Sequence, residues 1–396
     1  MRIALIADVF PPLRTSGAVQ LRDLSLEFVN HGHDVTMMVA APELDVPFRV
    51  EYWRSVRVVR LKTFKTKDIG YVHRTFNEFL MPFAMLRSLR KSPLALEKWD
   101  GIAWYSPTIF LGPMVSALKR ASACRSYLII RDIFPEWSVD MGLVGRGVPF
   151  KILKAAAKNQ YSVADVIGVQ TQGNCSYFTD WLKGPDRRIE VLQNWLAIAP
   201  AAGCSISIDH TALAGRKIFV YAGNMGVAQG MGILIELADR LKTRADIGFL
   251  FVGRGSEAQR LRAGAKQRAL DNVVFFDEID PDEIPGLYAQ CDVGLVALDP
   301  RHKTHNIPGK FLSYMQAGLP VLASINPGND LAELISAQQV GCVCTCTSAE
   351  SMAVSALELI ASIGRDSGVR DRCKRLASRL FSPEIAVKQI VSALQI

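Results

Sequence analysis

A loop that opens into a helix beside a lysine can grip a phosphate, and residues 306–318 have that pattern. Asn306-Ile-Pro-Gly-Lys-Phe-Leu-Ser-Tyr-Met-Gln-Ala-Gly318 puts Pro308 and Gly309 in a small loop, a short helix behind them and Gly318 at its end. Leu319-Pro320 then leads into an apolar strand. Unpaired N–H groups at a helix start attract anions, and Lys310 would bring a cation to the same anion. Two more loops join strand to helix: Val220-Tyr-Ala-Gly-Asn-Met-Gly-Val-Ala-Gln-Gly230 and Phe251-Val-Gly-Arg-Gly-Ser256. Gly223, Gly226 and Gly230 allow the backbone close to a ligand. Arg254 would reach a phosphate or stack on a base. One such loop is ordinary turn chemistry. Three in the same half of the chain read as a site for a nucleotide diphosphate.

Elements of alternating type must position these loops. Arg2–Ala7 reads as a strand, Ser16–His31 as a helix and Asp34–Ala40 as a strand, followed by short apolar runs at Gly101–Tyr105, Ser126–Ile130 and Val166–Gln170. The alternation predicts a parallel sheet covered by helices. Ala197–Gly215 reads as a linker, after which the pattern restarts with strands at Lys217–Ala222, Gly248–Val252, Val273–Phe276 and Val293–Ala297. The expected fold is therefore α/β, with two Rossmann-like domains whose ligand lies in a cleft between them. The restart closes the first domain at about residue 197 and opens the second at 198.

A length of 396 residues leaves ample core for two domains. No window supplies the roughly 20 apolar residues of a membrane span, and Met1–Ala7 reads as a first strand ahead of Asp8, not as a secretory signal. Eight cysteines in this length point to a reducing, cytoplasmic setting. Cys342, Cys344 and Cys346 alternate and read as buried small hydrophobes, with a metal site as the alternative. The net charge of +8 is asymmetric: residues 1–197 hold 26 Lys/Arg against 18 Asp/Glu, and residues 198–396 hold 20 of each. Residues 49–98 hold 12 basic and 4 acidic residues. Within them Phe76, Phe79, Leu80, Phe83, Leu86 and Leu89 have helical spacing over residues 74–91, with a kink expected at Pro82. A basic zone interleaved with phenylalanines suggests an anionic membrane surface as partner, with an inward-packed core helix as the alternative. No nucleic-acid module accompanies it.

The chain resembles the bacterial glycosyltransferases of family 4, with the two-Rossmann GT-B architecture. It is closest to the polysaccharide and O-antigen branch that includes N-acetylfucosaminyl transferases. The resemblance is carried by Pro11-Pro12…Gly17, Arg131-Asp-Ile-Phe-Pro-Glu136, Val191-Leu-Gln-Asn-Trp195, Tyr221-Ala-Gly-Asn224 through Gln229-Gly230, Val252-Gly-Arg-Gly255 and Ile307-Pro-Gly-Lys310…Gly318-Leu-Pro320. It is also carried by Phe381-Ser-Pro-Glu384, which resembles the start of the family's closing helix. Because that helix returns to the first domain in the family, the resemblance implies domains of residues 1–197 with about 381–396, and of residues 198–380. The family's paired glutamates, one on the donor sugar and one on the ribose, fall here on His305 and Ser313. Its basic pair falls on Asn224 or Met225 and on Gln229.

The resemblance implies a retaining transfer from a UDP-sugar to a lipid-linked or lipopolysaccharide glycan at the inner face of the cytoplasmic membrane. The sugar implied is an N-acetylated deoxyhexose. Lys310 and His305 are the expected catalytic groups on the donor side, with Gly223, Asn224, Gln229, Arg254, Ile279, Ile307, Gly309 and Ser313 around the donor; Ile279 belongs to the loop expected to meet the base. Asp132 is the expected acid or base on the acceptor side, with Gly17, Ala18 and Glu136 beside the acceptor. Lys310, Arg254 and the helix N-termini would stabilise the leaving diphosphate, and the chain is read as having no Asp-x-Asp sequence, so no metal and no cofactor is expected. An NAD oxidoreductase would need Gly-x-Gly-x-x-Gly after the first strand, and Asp8-Val-Phe-Pro-Pro-Leu-Arg14 lacks it. A sugar-nucleotide epimerase and a non-catalytic nucleotide- or glycan-binding subunit are the remaining alternatives.

Overall fold

A computed structural model describes residues 1–13, 15–67, 69–198, 203–301, 303–326, 328–345 and 348–395. The chain divides into two compact units, Met1–Trp195 with Ser382–Ile396, and Leu196–Phe381.

The first unit begins with β1 (Arg2–Ala7), α1 (Ser16–Asn30), β2 (Asp34–Ala41), β3 (Phe48–Trp53), β4 (Val56–Lys62) and α2 (Tyr71–Leu89). It continues with β5 (Gly101–Ser106), α3 (Gly112–Ser122), β6 (Arg125–Ile130), α4 (Glu136–Asp140), α5 (Val148–Val163), β7 (Val166–Val169) and β8 (Arg188–Val191). Its eight strands run in the order β3-β4-β2-β1-β5-β6-β7-β8. The β3–β4 pair is an antiparallel hairpin on the edge of an otherwise parallel sheet. The central strands β1, β5 and β6 are buried along nearly their whole length because helices cover both faces. β1 and β5 are neighbours in the sheet, and the chain continues from β1 to β2 on one side and from β5 to β6 on the other, which makes a topological switch point at their carboxyl ends, where α/β sheets bind ligands.

The second unit repeats the theme with β9 (Lys217–Ala222), α6 (Gly232–Arg240), β10 (Ile247–Val252), α7 (Ala258–Gln267), β11 (Val273–Phe276), α8 (Ile284–Tyr288) and β12 (Val293–Ala297). Then follow α9 (Gly309–Ala317), β13 (Val321–Ser324), α10 (Asp330–Gln338), β14 (Gly341–Cys344), α11 (Ala349–Arg365) and α12 (Val369–Leu380). The six strands are parallel in the order β11-β10-β9-β12-β13-β14, with the switch point between β9 and β12. The last helix, α13 (Pro383–Gln395), packs on α1, β5 and β6 of the first unit. Gly101 leaves room for that contact, since a β-carbon on it would lie 2.8 Å from Leu394 Cδ1 and the leucine would have to shift.

Cys342 and Cys344 share one face of β14 and join the core between that strand and α11; Cys346 lies outside the described residues. The basic zone separates into two parts. Arg57 of the hairpin pairs with Glu97 and Arg60 with Glu51, at 2.6 and 2.7 Å, so these charges serve the sheet. In α2, Pro82 is accommodated inside a helix that begins earlier than expected. Met81, Met85 and Leu89 face the core, whereas Phe76, Phe79 and Phe83 are 61, 53 and 49% exposed.

Candidate functional site

The carboxyl ends of β9, β10 and β12 carry the three loops singled out above. Lys310, in the first turn of α9, lays its ammonium 3.5 Å from the centre of the Tyr221 ring. A β-carbon on Gly223 would sit 3.5 Å from Lys310 Cε, so the lysine lies along that loop. Burial alone pushes the Lys310 ammonium down to about 7, with no charged partner acting on it. Tyr221 does two jobs: its ring takes the cation, and its hydroxyl donates to Asn224 O at 2.7 Å, bracing the loop. A cation held beside open backbone at a helix start, without a carboxylate, is suited to receive an anionic ligand.

Glycine is obligatory where the loops cross. Gly253 has φ +140°, and a β-carbon there would meet Gly223 O at 2.1 Å. Gly255 would meet Met225 O at 2.3 Å. These contacts let Gly223 N bond Val252 O at 2.9 Å and Met225 N bond Arg254 O at 2.7 Å.

The remaining donor-side residues fall as follows. Gln229 Oε1 accepts from Gly226 N at 2.9 Å and lies 3.5 Å from Asn224 Nδ2, so this pair closes its own loop. Arg254 turns to solvent and pairs with Glu278 at 2.8 Å. Ile279 and Ile307 pack against the unit's core, leaving their backbone as the part that can meet a ligand. Gly309 opens α9 behind Pro308. Ser313 Oγ donates back to Gly309 O at 3.4 Å, within the same helix. His305 Nδ1 lies 2.9 Å from Asp330 Oδ1 and 3.2 Å from the Asp330 amide; the carboxylate contact requires the tautomer with Nδ1 protonated. The metal-free expectation passes over Asp280-Pro-Asp282, which has an Asp-x-Asp pattern. In the structure Asp280 Oδ1 accepts from the Asp282 amide at 3.1 Å and caps the 3-10 turn Pro281–Glu283.

In the first unit the expected acceptor-side residues gather near the carboxyl ends of β1, β5 and β6. A β-carbon on Gly17 would lie 3.3 Å from Tyr105 Cε1, and Ala18 is buried in the first turn of α1, capped by Thr15. Asp132 follows β6 and is partly buried. Arg131 does not pair with it by hydrogen bond: its Nη1 donates to Leu192 O at 3.1 Å and its plane lies 4.4 Å from the Trp195 ring centre. Glu136 is engaged by Lys154, which leaves it poorly suited to act as a free base. Asp8, just past β1, was not among the expected residues; its Oδ1 is buried with no hydrogen-bond partner, and burial pushes the carboxyl up to about 6. Among the described residues no cluster of three or more His, Cys, Asp or Glu could hold a metal ion.

Residues 216–362 match the family model described as Glycosyl transferases group 1. Over 251 residues the chain is 28% identical to an Escherichia coli (strain K12) protein named as a colanic acid biosynthesis glycosyl transferase, WcaI, covering 61% of either chain. The chain thus spans about three fifths of the length of this relative. Sucrose-phosphate synthase from Thermosynechococcus elongatus superposes with a TM-score of 0.76 at 16% identity, covering 100% of this chain and 98% of that one. Anabaena HepE, in complex with UDP and glucose, superposes with a TM-score of 0.69 at 16% identity, covering 100% and 99%. The fold is the two-domain α/β fold of GT-B glycosyltransferases, and residues 216–362 are similar to the glycosyl transferases of group 1.

Proposed function

We propose that the chain is a retaining, metal-independent glycosyltransferase of bacterial polysaccharide biosynthesis. In this reading it moves a sugar, an N-acetylated deoxyhexose, from UDP to a lipid-linked or lipopolysaccharide glycan such as an O-antigen. The observation that carries the reading is Lys310, partly desolvated and unpaired on the Tyr221 ring beside the Gly223 loop. The bond between the anomeric carbon and the diphosphate breaks, and negative charge builds on the diphosphate oxygens. Lys310 and the first N–H groups of α9 stand ready to stabilise that charge where it develops. An acceptor hydroxyl forms the new bond on the face the diphosphate leaves, and a phosphate oxygen takes its proton. His305, steadied by Asp330, serves the donor sugar. The name of WcaI supports a polysaccharide setting and the HepE complex supports UDP.

The protein works at the inner face of the cytoplasmic membrane, held peripherally by α2. That helix offers the exposed Phe76, Phe79 and Phe83 with Arg87, Arg90 and Lys91 at its end to anionic headgroups. Among the described residues no helix is long and apolar enough to cross a membrane. A second reading, a non-catalytic nucleotide- or glycan-binding subunit, is favoured by Ser313, whose hydroxyl is turned back into its own helix. Turnover separates the two. The transferase consumes a UDP-sugar in the presence of chelator and loses that activity on Lys310→Ala; a folded protein that binds UDP without turnover with any UDP-sugar is the binding subunit.

A further inference from the structure

Arg131 is 7% exposed and sits just beyond β6, near the switch point of the first unit. Two of its features are accounted for by structure alone. Nη1 holds Leu192 O, and the guanidinium plane lies on Trp195. The other edge is not accounted for: Nε and Nη2 are both buried and neither has a hydrogen-bond partner. Those two N–H groups point the same way and form the side-on fork that takes two oxygens of one oxyanion. The same fork is filled elsewhere in this chain. Arg244 holds Asp246 with Nε and Nη2 at 2.8 and 2.7 Å, and Arg301 holds Asp299 at 2.9 and 2.8 Å.

The surroundings do not fill the fork of Arg131. Tyr105 donates its hydroxyl to Gln20 Oε1 at 2.6 Å, and Tyr127 donates to Glu190 at 2.7 Å. Asp132 acts on the guanidinium through space and favours its charged form. Burial pushes the Arg131 guanidinium down only to about 10, so the group stays charged at neutral pH. A charged group out of water with three of its five N–H donors empty is costly, and such a group calls for a partner.

We propose that the Nε–Nη2 fork of Arg131 binds an oxyanion of the acceptor, a phosphate or a sugar carboxylate. This deepens the transferase reading, on which the word acceptor rests, and makes the acceptor an acid. Both donors are out of contact with bulk water, where a charge-assisted contact to an oxyanion is strongest.

The test is the Nε–H resonance of Arg131, assigned by its disappearance in Arg131→Lys, followed while the full chain is titrated with inorganic pyrophosphate and, separately, with glucuronate. The expected result is a saturable shift with one of them, while the filled forks of Arg244 and Arg301 stay still. Preference for pyrophosphate names a phosphate-linked acceptor, and preference for glucuronate names an acidic sugar. Arg131→Lys keeps the charge without the fork, and calorimetry with the Lys310 site held by saturating UDP should show anion binding weakened about tenfold or more. An Arg131 resonance that moves no more than those of Arg244 and Arg301 overturns the proposal, as does undiminished binding in Arg131→Lys. If the lysine variant does not fold, through-bond assignment of the Nε–H resonances in the wild-type chain replaces it, and the wild-type titration decides with those two arginines as controls. UDP binding in the same sample keeps the readings apart: UDP bound with a silent Arg131 refutes this inference alone. Anion captured by Arg131 without UDP binding refutes the transferase reading and leaves an oxyanion site.

Discussion

Lys310→Met should make the ligand-free protein more stable while removing its grip on nucleotide. The ammonium is pushed from the ordinary 10.5 to about 7 by burial alone. Keeping it charged in the fold at low pH therefore costs about 5 kcal/mol at face value. The side chain is only partly buried by its surface area, and we take about half, roughly 2 kcal/mol, for solvent screening. The sign follows from proton linkage: between about pH 7 and 10.5 the unfolded chain binds more protons at this site than the folded one, so wild-type stability rises with pH across that window. Below it the penalty is complete, and above it there is none. Methionine keeps a similar stem against Tyr221 and carries no charge. The variant should thus be more stable by roughly 2 kcal/mol at pH 6, with the advantage gone by about pH 10. The assay is thermal unfolding, read on the transition that UDP shifts. UDP affinity should fall about tenfold to a hundredfold, the loss of a charge-assisted contact. A variant equally or less stable at pH 6 would show that Lys310 is solvated or paired, and the argument for an anion-ready cation would fail.

Three other outcomes are expected. Gly253→Ala should destabilise the second unit by about 3 kcal/mol or more, because the new β-carbon falls 2.1 Å from Gly223 O at φ +140°; a wild-type melting temperature would mean the crossing loops relax freely. Tyr221→Phe removes only the bond to Asn224 O and should cost about 1 kcal/mol, whereas Tyr221→Leu also removes the ring beneath Lys310 and should weaken UDP further. Equal effects on UDP titration would dismiss the ring. Replacing Arg87, Arg90 and Lys91 together by Glu should lower binding to phosphatidylserine vesicles more than a hundredfold, at about 1 kcal/mol for each basic residue lost. Vesicle co-sedimentation unchanged by these three replacements would move the membrane contact elsewhere.

Two donor-side loops were legible because each pairs a buried apolar strand with glycines at its carboxyl end, and the third because Pro308-Gly309 opens a helix beside Lys310. Lys217–Ala222, Val273–Phe276 and Val293–Ala297 begin and end where periodicity placed them. The β3–β4 hairpin was not legible. Its turn is Arg54-Ser55, with Arg54 at φ +51° in place of the usual Gly or Asn. Arg57 and Arg60 read as free surface charge, but their partners Glu97 and Pro11 O are distant in sequence. Tyr221 was hidden in an apolar strand, since nothing local shows that a lysine will lie on its ring. Arg131 is a comparable case. Beside Asp132 it reads as half of a local ion pair, yet it reaches Leu192 O across 61 residues. Asp330 joins His305 from 25 residues away, through a helix start that sequence alone does not bring near.

The most direct test of the central claim is nucleotide binding to the purified chain in the presence of chelator, comparing UDP, GDP, ADP and NAD, with Lys310→Met alongside. The account predicts that UDP binds best, that chelator makes no difference and that the variant binds weakly. A folded protein that binds none of the four nucleotides, or that binds UDP equally well without the Lys310 ammonium, would contradict it.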